Sequence, residues 1–195
     1  MESAERFHLN GEAVGWIVRS LDGGTFRTQV DLRPRNGERF SSTSVVEGIG
    51  EGAATEVFGW RTYTYREKSM EAPMEYIRPA HFAPGSGVGP AVPSYAEQLL
   101  VDAIIAEGLP EIVYLRLQDS DPTASPTVAR LFRAGSGPLD VQGRTLSAER
   151  IDLIVDGRVE NSHWFGRVND DGRIQRVKSW WNGAVSYPVT ADQAP

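Results

Sequence analysis

Ala13-Val14-Gly15-Trp16-Ile17-Val18-Arg19-Ser20-Leu21, the turn Asp22-Gly23-Gly24, and Thr25-Phe26-Arg27-Thr28-Gln29-Val30-Asp31-Leu32-Arg33 decide the fold class. The second run alternates apolar and polar positions, the period of a strand with one buried face. The Asp-Gly-Gly between the runs supplies the positive φ angles that a tight hairpin needs. Working outward, Phe7-His8-Leu9-Asn10 leads to Gly11 on the near side. Arg35-Asn36-Gly37-Glu38 repeats the turn chemistry on the far side, and Phe40 to Val46 follows as the next strand. The grammar is that of sequential antiparallel hairpins.

It continues through most of the chain. Val57 to Arg66 is predicted as a strand, its β-branched and aromatic content suiting a pleated surface. Regular alternation puts Phe58, Trp60, Thr62 and Thr64 on one face and Arg61, Tyr63 and Tyr65 on the other. Met74 to Arg78 extends the sheet, and residues 79–93, rich in Pro and Gly, read as a long loop of the kind that forms lids. One helix is expected at about 95–106. Ser94 and Glu97 have capping-box spacing, Leu99, Leu100, Ala103 and Ile104 recur at helical period, and Gly108 and Pro110 end it. Strands are expected again at 112–117, 126–134, 139–147 and 150–156, then on either side of Asp156-Gly157, Asn169-Asp170-Asp171-Gly172 and Asn182-Gly183. Residues from about 190 to 195 are expected to fray. About nine to twelve strands are too many for a flat sheet. The expected architecture is mainly β: one large antiparallel sheet curled into a half-barrel or open barrel, a single domain over 1–195, with the helix on its concave face.

Composition narrows the function. The 195 residues carry a net charge of −6, and the basic residues are scattered, which argues against a nucleic-acid partner. No cysteine is present, so disulfides and thiolate metal sites are excluded. No stretch approaches the roughly 18 apolar residues of a spanning helix. Met1 to Arg6 contains acidic residues and no apolar core of a signal peptide, so the expected location is the cytoplasm.

The chemistry-bearing residues are sparse. His8, His81 and His163 are the only histidines, and none has a partner at zinc-ligand spacing, so neither metal nor cofactor is expected. Asp119-Ser120-Asp121 lacks the rest of a calcium loop. Gly85 to Gly89 lacks the Lys and Ser/Thr of a phosphate loop, and no Gly-x-Ser-x-Gly elbow exists. An aromatic set remains on predicted strands: Trp60, Tyr63, Tyr65, Tyr76, Trp164 and Trp180, with Phe82 in the long loop. These are the candidate lining of a site for a hydrophobic small molecule, although each is equally at home in an ordinary sheet core. Trp180 and Trp181 are adjacent, so a regular strand turns only one of them inward. His163, His81 and Arg61 are the candidate catalytic groups. His163 has an unperturbed pKa near neutrality, and His81 lies where a lid would close.

Read together, Gly11, Ala13-Val14-Gly15 with its long hairpin, Pro93 to Leu100 opening the helix, and Trp164 to Ile174 near the end resemble the LolA/LolB-like half-barrels of the bacterial lipoprotein-carrier superfamily, which include the cytoplasmic violacein-biosynthesis protein VioE. The resemblance covers roughly residues 5–190 and is one of layout and turn motifs. The export signal and lipidated Cys of periplasmic carriers have no counterpart here. The resemblance implies a cavity-bearing fold and, through VioE, a cofactor-free enzyme of secondary-metabolite biosynthesis of cyclisation or rearrangement type. The alternatives are a passive lipid or small-molecule carrier and a protein-interaction module; whether a reaction is catalysed, and whether the chain forms a homodimer, stay open.

Overall fold

The computed structural model describes residues 2–33, 39–50, 59–68, 73–79, 91–119, 121, 123–168 and 173–190, without the side chains of Arg78 and Pro79. The strands are β1 (Glu2–Leu9), β2 (Glu12–Asp22), β3 (Thr25–Leu32), β4 (Phe40–Glu47), β5 (Thr62–Lys68), β6 (Met74–Pro79), β7 (Val92–Pro93), β8 (Glu111–Leu117), β9 (Thr127–Val141), β10 (Arg144–Val155), β11 (Arg158–Arg167), β12 (Ile174–Trp181) and β13 (Ala184–Val189). All belong to one sheet in the order β6-β5-β4-β3-β2-β1-β13-β12-β11-β10-β9-β8-β7. The first and last strands therefore pair at its middle, and each half of the chain builds one wing outward. Every pairing is antiparallel except β7 with β8.

Among the described residues, five two-residue turns hold the meander together: Asn10-Gly11, Gly23-Gly24, Gln142-Gly143, Asp156-Gly157 and Asn182-Gly183. Both residues of each have positive φ, the requirement of a type I′ hairpin. The turn at Gln142-Gly143 splits the strand expected at 139–147. The chain makes instead one 15-residue strand before the turn and a second after it. The strand expected from Val57 begins only at Thr62, and Val57 and Phe58 lie outside the described residues.

A short 3-10 turn at Ser94–Ala96 leads into α1 (Glu97–Glu107), the one α-helix among the described residues. The expected capping box does not form. The N-cap position falls on Ala96 with no side-chain cap, because Ser94 is taken into the 3-10 turn. The C-terminal expectation holds: Gly108 is left-handed at φ 69° and its N–H caps the Ile104 carbonyl. The sheet curls round α1. Leu100, Val101 and Ile104 share one core with Phe26, Val46, Tyr63 and Tyr65 of the first wing and with Tyr114, Leu131, Ile151 and Leu153 of the second.

The two free edges meet through side chains. The Tyr63 hydroxyl donates to the Asp119 carboxylate, and the Tyr76 hydroxyl donates to the Asp119 carbonyl at 2.7 Å. Asp119 also accepts the Tyr95 N–H at 3.0 Å, and Trp60 Nε1 donates to the Ala91 carbonyl at 2.9 Å. A short polar seam thus joins the β5–β6 side to the β7–β8 side of the open sheet. No helix among the described residues is long and apolar enough to cross a membrane.

Candidate functional site

Between α1 and the middle strands the interior is incompletely filled. A cavity of about 200 Å³ is walled by apolar side chains that include Phe7, Ile17, Val30, Leu32, Val101 and Leu153. The side chains of Arg19, Glu97, Gln98, Asn161, His163 and Trp181 interrupt that wall. Strand alternation explains much of this. Phe7, Ile17, Arg19, Val30, Leu32, Asn161, His163 and Trp181 occupy inward positions of β1, β2, β3, β11 and β12, while α1 presents Gln98 and Val101 from above. Phe40, Ser94 and Tyr95 also border a wider polar vestibule of about 440 Å³, lined by Tyr65, Glu67, Arg116, Gln118, Asp119 and Glu160. The inner cavity thus adjoins the seam-side vestibule.

One side of the cavity rests on a buried ion network. Arg19 donates to Glu5 at 2.5 Å, and Arg176 donates to Glu5 at 2.9 Å and to Asp102 at 2.8 Å. The Ser186 hydroxyl donates to the second Glu5 oxygen and accepts from Trp181 Nε1 at 2.9 Å. Burial by itself raises the Glu5 pKa, but Arg19, Arg176 and the Ser186 hydrogen bond outweigh it and hold the carboxyl at about 2. Arg176 reaches this network because of a bulge. Trp164 pairs with Lys178 and Phe165 with Arg176, so Val177 is the extra residue and the residues on either side of it change face. His163 sits beside the network, its Nδ1 2.9 Å from Ser179 Oγ and its ring edge-on to Trp181 at 5.0 Å. Burial first, then the positive charges of Arg176 and Arg19, push its pKa well below the ordinary histidine value. The imidazole is neutral at physiological pH.

A second polar group stands where cavity and vestibule meet. The Tyr114 hydroxyl donates to Glu97 at 2.5 Å. Arg116 Nε lies 2.8 Å from Glu97 with its N–H directed off the line, so this is an ion pair without a hydrogen bond. Arg116 Nη1 donates to Glu160 at 2.7 Å. Burial raises the Glu97 carboxyl to about 7, and Arg116 only partly offsets it. A carboxyl that titrates near neutrality on a cavity wall is equipped to exchange protons. Burial also pushes Asp119, in the seam, well above the carboxylate range.

The sequence-predicted site residues divide into groups. His163 faces the cavity. Tyr65 lines the vestibule, stacked on Tyr95 at 6.0 Å and donating to Glu67 at 2.6 Å. Trp60 and Tyr63 are packed in the core and seam, with Tyr76 at the seam beside them. Trp60 is buried with Tyr63 and Tyr65, not opposite them, because it precedes the strand and escapes its alternation. Trp164 lines an outer groove with Gly135 and Arg150, its ring 5.3 Å from the Lys178 ammonium. Of the Trp180–Trp181 pair, Trp181 lines the cavity and Trp180 takes the opposite face. Arg61 is exposed, away from both spaces. His81 and Phe82 lie outside the described residues. Among the described residues no group of three or more His, Asp or Glu side chains is placed to hold a metal.

Glu5, Arg19, Gln98, Glu97, Asn161 and Arg176 were not singled out as site residues by sequence reasoning. Glu5 and Arg19 carried one signal, a charge at an inward position of the strand alternation. Glu97 was read as a capping residue, and Arg176 was hidden by the bulge.

No family model matches the chain, and no curated protein does. Among solved structures it is similar to the crystal structure of a beta-barrel-like protein of a domain of unknown function, DUF1849, from Brucella abortus. The TM-score is 0.53 at 9% identity, over 96% of this chain and 93% of that one. At that identity the similarity concerns the fold: a barrel-like β architecture shared over nearly the full length.

Proposed function

We propose that the chain is a binding protein for a small hydrophobic or aromatic molecule, held between α1 and the sheet. The observation that carries this reading is the cavity of about 200 Å³ with mainly apolar walls. Apolar cavities of about 150 Å³ stay dry and admit a benzene-sized guest. The sequence's resemblance to LolA/LolB-like half-barrels, which implies a cavity-bearing fold, favours the same reading, and a carrier is its simplest form.

A second reading, a cofactor-free rearrangement of the held molecule, is favoured by Glu97, whose carboxyl on the wall has a pKa of about 7. Holding and drying a reactive molecule beside one proton-exchanging group is sufficient machinery for such a step.

Toluene tests the binding reading. It should raise the melting temperature of the wild-type protein in a dose-dependent way and change the Trp fluorescence. Val101→Trp, which fills the cavity from α1, should stay folded and lose both responses. A wild-type protein indifferent to toluene, or a Val101→Trp variant that responds equally, would overturn it.

A further inference from the structure

The polar part of the cavity wall carries hydrogen-bonding capacity that the fold itself leaves unused. Gln98 is 6% exposed and lines the cavity. Its Nε2 donates to Asp102 at 2.8 Å, which sets the orientation of the amide, and its Oε1 is buried with no partner among the described residues. A buried acceptor without a donor is unfavourable, and native interiors rarely keep one without a use for it. Arg19, 3% exposed and lining the same cavity from β2, gives one N–H to Glu5 and pairs with no other carboxylate among the described residues. The wall therefore offers a donor and an acceptor, linked through the chain Arg19–Glu5–Arg176–Asp102–Gln98. That chain balances two carboxylates against two guanidinium groups. A charged ligand group placed here would be desolvated with no free counter-charge. The smallest organic group that both donates and accepts through one atom while staying neutral at pH 7 is a hydroxyl.

We propose that the molecule taken by this cavity is a neutral hydroxylated aromatic of one ring, a phenol, whose oxygen accepts from Arg19 and whose O–H donates to Gln98 Oε1. The inference rests on the binding reading above and adds the ligand's chemical class.

The test is calorimetric titration of the wild-type chain at pH 7 with four single-ring probes: phenol, toluene, benzoate and benzylamine. Phenol should bind about tenfold more tightly than toluene, the upper end of the net gain from one hydrogen bond. Benzoate and benzylamine should bind more weakly than phenol. Gln98→Leu should remove the preference for phenol and leave toluene affinity unchanged or improved. Should that variant not fold, the comparison of the four probes on the wild type decides alone. Toluene binding as tightly as phenol would overturn the hydroxyl inference while the cavity reading stands. Benzoate or benzylamine binding more tightly than phenol would overturn the neutral-group argument. Failure of all four to bind would overturn both.

Discussion

Replacing Glu97 by Gln should change how stability depends on pH. The Glu97 carboxyl is buried beside Tyr114, and burial raises it from an ordinary 4.5 to about 7 against the pull of Arg116. Each pKa unit corresponds to about 1.4 kcal/mol, so the rise amounts to about 3 kcal/mol. Its sign follows from proton uptake. Between pH 4.5 and 7 the folded chain keeps the Glu97 proton and the unfolded chain releases it. The stabilisation is complete below pH 4.5 and is lost as pH rises through 7. Gln has the same shape, still accepts the Tyr114 hydroxyl, and does not titrate. Arg116 keeps Glu160 at 2.7 Å in the variant. Urea denaturation of both proteins at pH 4.5, 6 and 8 isolates the effect, because every other titrating group cancels in the difference. The free-energy difference should move by about 3 kcal/mol in favour of the variant between pH 4.5 and 8. A difference that stays flat over that range would refute the assignment of a near-neutral pKa to this carboxyl.

Two further substitutions probe the scaffold of the site. At Gly15 a Cβ would stand 2.0 Å from the Asp31 carbonyl oxygen, so Gly15→Ala must displace β3. It should cost about 2–3 kcal/mol, a fall of roughly 4–12 °C in melting temperature by differential scanning calorimetry, and an unchanged melting temperature would show that the backbone approach is not tight. Arg19→Met removes the nearer of the two guanidinium partners of buried Glu5 and should cost about 3–5 kcal/mol in urea denaturation. Adding Glu5→Gln should recover part of that loss; a double variant as unstable as the sum of the singles would show that the two groups do not act as a pair.

Much of the fold was legible because its signals are local. A type I′ turn needs two positive φ angles, so Asn-Gly, Asp-Gly and Gly-Gly mark it within a few residues. Gly108 and Pro110 stop the helix through backbone geometry that neighbours do not alter. The N-terminus of α1 was less legible. Ser94 and Glu97 fit a capping box in spacing, yet burial and the partners Tyr114 and Arg116 claim the Glu97 carboxylate. Tertiary contact overrode local preference at the one end of the helix that touches the cavity.

The site was legible in kind and hidden in detail. Alternation showed that Trp180 and Trp181 face opposite ways, but which one faces inward depends on register against β11 and β13. The inward turn of Arg176 depends on the extra residue at Val177, visible only once β11 and β12 are paired. By itself the sequence determined the antiparallel meander, most of its turns, the mid-chain helix and the lack of thiolate chemistry, because those follow from residue type and short-range spacing. Only the tertiary structure decided that β1 and β13 close the two wings together, that Glu5, Arg19, Asp102 and Arg176 meet in the interior, and that Glu97 titrates near neutrality. The physical reason is distance along the chain: Glu5 and Arg176 lie 171 residues apart, and their pairing and desolvation come into being only when the sheet curls.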